Sequence, residues 1–198
     1  IPGVQRVVWD MRYLPPSIPA SLPQIPAGVT LPEGFSFGPQ GFLVMPGKYS
    51  VSMALKVNGV VSPLNGTQSF NVNVEGKEKM SDAERAELSA FQRKVSDLLR
   101  AVSGAIEVGN ATKTRIGFLK RSAEQAPVAD TKSLVDQANA FNKEIDFLLN
   151  ELRGGRENSD IPPPSISSRV GNIAGTIRLS TIKPTQTQLE QYELSNSE

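Results

Sequence analysis

Cysteine and histidine are both missing from the 198 residues. Their absence excludes thiol nucleophiles, Ser-His and Cys-His dyads, disulfides, and every zinc site that needs thiolate or imidazole. Aromatic residues make up 6% of the chain, with a single tryptophan, and no apolar run reaches the roughly 20 residues that span a bilayer. The formal net charge is +1, so no excess of positive potential favours a polyanion, and a nucleic-acid partner is not expected. The opening at Ile1, without Met or a signal sequence, reads as a fragment or a processed chain. Carboxylate, lysine, tyrosine and hydroxyl chemistry remain, and nothing in the sequence calls for a cofactor or a metal.

What is present is unevenly spread. Residues 1–75 hold 10 of the 15 prolines but only 4 Lys/Arg and 3 Asp/Glu, while the rest of the chain holds the remaining 17 of each charge sign. This predicts a β-rich domain over 1–76 and a helical domain over 77–198. The organising stretch of the first is GKYSVSMALKVNG, where Tyr49, Val51, Met53, Leu55 and Val57 alternate with polar or small residues. Such alternation is a strand with one buried face, expected here at the centre of a small antiparallel sheet. Asn58-Gly59 suits a two-residue hairpin turn, with Val60 to Leu64 returning as partner and Pro63 marking an edge or bulge. Two further strands are expected over residues 4–13, where Val7, Trp9, Met11 and Tyr13 share a face, and over residues 67–75, with Phe70, Val72 and Val74 inward. Phe42 to Met45 lead into the organising strand. Between these lies a long loop with seven prolines from Pro15 to Pro39, whose far end carries Phe35 and Phe37.

The second half reads as a helical bundle. Ser81 and Glu84 form a capping box for a stripe of Leu88, Phe91, Val95, Leu98, Val102 and Ile106 that resumes at Ile116, Leu119 and Ala123. One long helix to about residue 125 is expected, with a break near Gly109 as the competing reading. Pro127 ends it and Asp130 or Thr131 caps the next, whose stripe is Leu134, Ala138, Phe141, Ile145, Leu148 and Leu152, closed by Gly154-Gly155. The pair should form an antiparallel hairpin. After a proline linker over 159–164, Ile166, Val170, Ile173 and Ile177 predict a third helix, and Thr185 with Gln188 cap a fourth. The stripes either satisfy one another within the chain or form the seam of a homodimer.

Paired acids such as Asp136 with Glu144, or Asp146 with Glu151, sit among lysines and arginines and read as solvated helix faces rather than acid-base pairs. Trp9 reads either as core packing or as an exposed indole that binds a flat apolar face such as a sugar.

The motif W-D-x-R-Y at Trp9, Asp10, Arg12 and Tyr13, then Pro46-Gly47 leading into Tyr49 and Val51, resembles the C-terminal region of bacterial exported proteins with sortilin-like BNR (Asp-box) repeats, often labelled glycosyl hydrolases. The resemblance covers essentially the whole chain and implies an immunoglobulin- or fibronectin-III-like β-sandwich followed by helices, trailing a β-propeller. It also implies a secreted, periplasmic or cell-envelope location. No Asp-box, S-x-D-x-G-x-x-W, occurs here, so the catalytic label carries to no residue of this chain. The strand count is about four against the seven of such a sandwich, so the sandwich is expected to be incomplete, with the missing strands or the propeller as partner.

The expected class is therefore α+β, an Ig-like sandwich followed by an all-α bundle. The expected role is a non-catalytic accessory or interaction module. A carbohydrate-binding module with Trp9, Tyr13, Phe35 and Phe37 as platform is the first alternative, and a dimerising helical scaffold the second.

Overall fold

The computed structural model describes residues 3–4, 6–16, 40–75, 80–126, 131–154, 164–180 and 182–197. Most of the proline-rich stretch with Phe35 and Phe37, the helix-ending Pro127 with the candidate cap Asp130, and most of the 159–164 linker lie outside them. The described elements are β1 (Gly47–Val51), β2 (Ala54–Val57), β3 (Val60–Pro63), β4 (Gln68–Val72), α1 (Asp82–Gln125), α2 (Lys132–Arg153), α3 (Ile166–Ile177) and α4 (Gln186–Ser197).

The β elements do not make the expected sandwich. They form two separate two-stranded antiparallel ladders, β1 with β4 and β2 with β3, which are the two halves of one long hairpin. At its tip Asn58 (φ 49°) and Gly59 (φ 83°) both take the left-handed conformation that a tight two-residue turn needs. Val57 pairs with Val60, whereas Val51 pairs with Gln68, so the return arm spends extra residues beyond Pro63. A proline cannot donate to the ladder, and the register slips where the sequence places it.

The organising strand therefore has one partner and is not central. Among the described residues of the 4–13 segment no strand forms: Met11 adopts φ 58°, and a single bridge links Arg12 to Leu43. Alternation is a local pattern, and it cannot supply the second sheet that a sandwich needs. Among the described residues Trp9 packs on the β1/β4 end of the hairpin, while toward its tip Met53, Leu55, Val57 and Val61 are exposed.

The helices follow the sequence closely. Ser81 accepts from the Glu84 amide while Glu84 accepts from the Ser81 amide, and α1 then runs unbroken through Gly109 for 44 residues, about 66 Å. The α3 stripe is wholly inside: Ile166, Val170, Ile173 and Ile177 are all buried. Thr185 and Gln188 form the second reciprocal cap.

Alpha-1 is a spine along which α2 and α3 are laid in succession. Lys113 meets Asp146, Lys120 meets Asn139, and Gly109 lies against Leu149, so α2 runs antiparallel along the distal half. The third helix takes over along the proximal half, where Gln92 donates to the Ile177 carbonyl. Helix α4 returns antiparallel to α3, as the Gln188–Thr176 and Arg169–Ser195 bonds require. The core sits where α1, α3 and α4 meet, around Phe91, Val95, Val102, Val170 and Ile173. Phe42, from the β-rich part, joins this same cluster.

The α2 stripe departs from expectation. Leu134, Phe141 and Leu148 are exposed, and only Leu149 is buried. The side of α2 that meets α1 is displaced toward Leu149, so half of the predicted stripe looks away from the spine.

Candidate functional site

Two surfaces gather the residues that the sequence marks for recognition. The first is aromatic. Tyr49 and Phe70 are direct cross-strand partners, their rings stacked with centroids 6.2 Å apart. The Trp9 ring stands over both, 5.6 Å from Tyr49 and 5.9 Å from Phe70. Its Nε1 donates to the Arg12 carbonyl at 3.1 Å, which fixes the indole plane. Arg12 is held in turn by the Gly41 carbonyl, and the Tyr13 amide donates to Phe42, so the segment bearing Trp9 is tied to the strand lead-in.

Trp9 is 41% exposed, which corrects the reading of it as a core residue: Val7 is open to solvent and the left-handed Met11 breaks the alternation. Tyr13 is 40% exposed, and its hydroxyl lies beside that of Tyr49. The Tyr49 hydroxyl titrates above its ordinary value, first because burial disfavours the phenolate and then because of Tyr13. Its proton is donated to the Met45 carbonyl at 2.6 Å. The structure thus brings Trp9 and Tyr13 to one aromatic cluster, while Phe35 and Phe37 lie outside the described residues. Tyr49 and Phe70 were the members that sequence reasoning missed, although their inward-facing positions in the alternation are what places them there.

The second surface is the distal hairpin of α1 and α2. Between the two helices runs an open groove of about 550 Å³, floored by Gly109, Ile145 and Leu149 and edged by Val108 and Leu148, with Ile166 closing one end. Leu148, which lines the groove, is the last of three residues at heptad spacing on α2, Leu134, Phe141 and Leu148, with Phe141 56% and Leu148 59% exposed. Leu119 extends the α1 edge in the same direction as Val108, since eleven residues complete about three helical turns.

The acids give no comparable constellation. Asp146 is ion-paired with Lys113 and Asp97 with Arg100. A cleft of about 350 Å³ between Tyr13, Leu14 and α1 contains Asp97 as its one carboxylate. Among the described residues there is no group of three acids that would hold a metal ion, and no helix is long and apolar enough to cross a membrane.

No protein-family model, curated protein or solved structure matches this chain. The resemblance suggested by W-D-x-R-Y rests on the sequence alone.

Proposed function

We propose that this chain is a non-catalytic interaction module, an accessory part of a larger exported protein, acting through the distal α1/α2 hairpin. The observation that carries this is the row of large apolar side chains, Leu134, Phe141 and Leu148, standing open along α2, with Leu148 lining a formed groove. Isolated exposed leucines are ordinary on any surface, but an aligned set beside a groove is the form of a binding surface. The test is site-specific photo-crosslinking in the natural host, with benzoylphenylalanine at position 148 and, as control, at the exposed Glu87 of α1. An adduct of defined mass at 148 and none at 87 is expected. Absence of any adduct at 148 would remove the reading.

A second reading is favoured by one specific observation, the half-exposed Trp9 held in plane by its own hydrogen bond and backed by two rings. A fixed indole of this kind suits the face of a sugar ring. Because Trp9 is the only tryptophan, its fluorescence reports directly on this site. A saturable spectral shift on titration with neutral oligosaccharides supports carbohydrate binding, and an unchanged spectrum at millimolar sugar dismisses it.

A further inference from the structure

The open groove is the continuation of a position that is filled elsewhere in the same molecule. In the proximal half, α1 is accompanied by two helices, α3 and α4. Tyr192 of α4 packs edge-on against Phe91 at 5.7 Å and lies close enough to Asp97 for that carboxylate to raise its hydroxyl pKa, after the larger effect of burial. Helix α4 therefore lies beside α1 at Phe91. Along an α-helix, Phe91, Leu98, Ala105 and Gly109 recur at nearly whole turns, within about 40° of one direction. The flank that α4 meets at Phe91 thus leads distally to Ala105 and Gly109, which line the open groove, with Val108 and Leu119 exposed beside it. Distally, α1 has only α2, and the third position is empty.

We propose that this position takes one amphipathic helix of a partner protein, laid end to end with α4 to complete a three-helix coil. The inference rests on the reading of the hairpin as an interaction surface and names its occupant. Three features define that helix. Helix α2 is 22 residues, about 33 Å, long, so a helix that follows it from end to end needs about 20 residues. The rows at Val108, Leu119, Leu134, Phe141 and Leu148 call for apolar residues at heptad spacing on the incoming face. The two edges differ in charge: the α2 edge carries Glu144 and Glu151, while the α1 edge carries Arg115 among small residues. Glu151 lines the groove itself. Glu144 and Arg115 are exposed, and neither has an ion-pair partner among the described residues. The partner helix should therefore be basic along the side that faces α2.

The experiment uses the full chain and two labelled 21-residue designed helices with identical leucine seams, one with lysines and one with glutamates along the α2-facing edge, read by fluorescence anisotropy. The lysine helix should bind at about micromolar concentration, with the glutamate helix at least about tenfold weaker. The exposed pair Phe141→Ser with Leu148→Ser should abolish binding with an unchanged circular dichroism spectrum, and Glu144→Lys with Glu151→Lys should invert the preference. Failure of both helices to bind, binding that survives the serine pair, or a preference indifferent to the Glu144 and Glu151 inversion overturns the inference. So does a chain that is dimeric in solution and becomes monomeric with the serine pair, since the occupant is then a second copy. An adduct at position 148 without helix binding sinks only the identity of the partner, whereas no adduct at all sinks the interaction reading beneath it.

Discussion

Helices α2 and α3 are comparably amphipathic, yet they end in opposite circumstances. Every large apolar residue of α3 is inside, with Val170 and Ile177 fully covered, while α2 buries only Leu149 over nearly twice the length. The difference lies in their neighbours. The third helix is enclosed by α1, α4, Phe42 and the end of α2, whereas α2 touches α3 only near its own C-terminal end and otherwise leans on α1. A stripe read from spacing establishes that a helix has an apolar face, but how much of that face is covered depends on how many elements reach it.

The largest effect should come from truncating matched positions on the two helices. Ile173→Ala removes a side chain that is 2% exposed and leaves a void among Phe91, Val95 and Val102, so about 3 kcal/mol of stability should be lost in urea unfolding. Leu148→Ala removes an equally apolar group from an open edge and should change stability by about 0.5 kcal/mol or less. A cost above about 2 kcal/mol at Leu148 would mean that the groove is already covered, and the contrast between the helices would collapse.

The same contrast sets what the sequence could tell. Helix limits were legible because caps and breakers are local: Ser81 with Glu84, Thr185 with Gln188 and Gly154 stand where the spacing predicts. The hairpin turn was legible for the same reason, since Asn58-Gly59 states its backbone requirement in two residues. The sandwich was not, because alternation over Tyr49 to Val57 says nothing about whether a second sheet exists. The burial of Trp9 was not legible either, because the left-handed Met11 ends the alternation that Val7, Trp9 and Met11 suggest, and no strand forms there to bury one face. In the site, Leu134, Phe141 and Leu148 were visible as a row, but their direction depends on where α1 lies.

Glycines on α1 sharpen the comparison at an intermediate scale. A Cβ at Gly104 would meet nothing within 4 Å, so Gly104→Ala should stabilise by about 0.5 to 1 kcal/mol through helix propensity alone. At Gly109 the new Cβ would stand 2.8 Å from Leu149 Cδ2, a contact that forces Leu149 to move. Leu149 also borders the open groove, so it has space to yield, and the overpacking should do no more than cancel the propensity gain. Chemical denaturation of the two variants side by side checks this. A loss of about 3 kcal/mol at Gly109 would show a seam as closed as that of α3.

Within the seam of α2, Asn142 holds a buried Oδ1 with no hydrogen-bond partner. Nothing equivalent interrupts the α3 stripe, whose buried members are all aliphatic. Replacing the amide by a hydrocarbon of similar volume, Asn142→Leu, should raise stability by about 1 kcal/mol. A fall in stability instead would reveal that the amide is satisfied and that the seam is better packed than α2's exposure implies.

The smallest effect separates the helix starts. At α3, Ser165 has extended backbone geometry and its hydroxyl accepts from the Ser168 amide at 3.2 Å, occupying one of the donors left free in the first turn. At α2, Thr131 is already in helical conformation (φ −92°, ψ −10°) and its side chain makes no such bond. Ser165→Ala should therefore cost about 0.5 to 1 kcal/mol, and Thr131→Ala less than a few tenths. Amide hydrogen exchange at the first turn of each helix distinguishes the cases, because loss of a functioning cap speeds exchange locally before it lowers global stability. Equal responses at the two positions would mean that the start of α2 is held as firmly as that of α3, and the asymmetry between the helices would then be confined to their apolar faces.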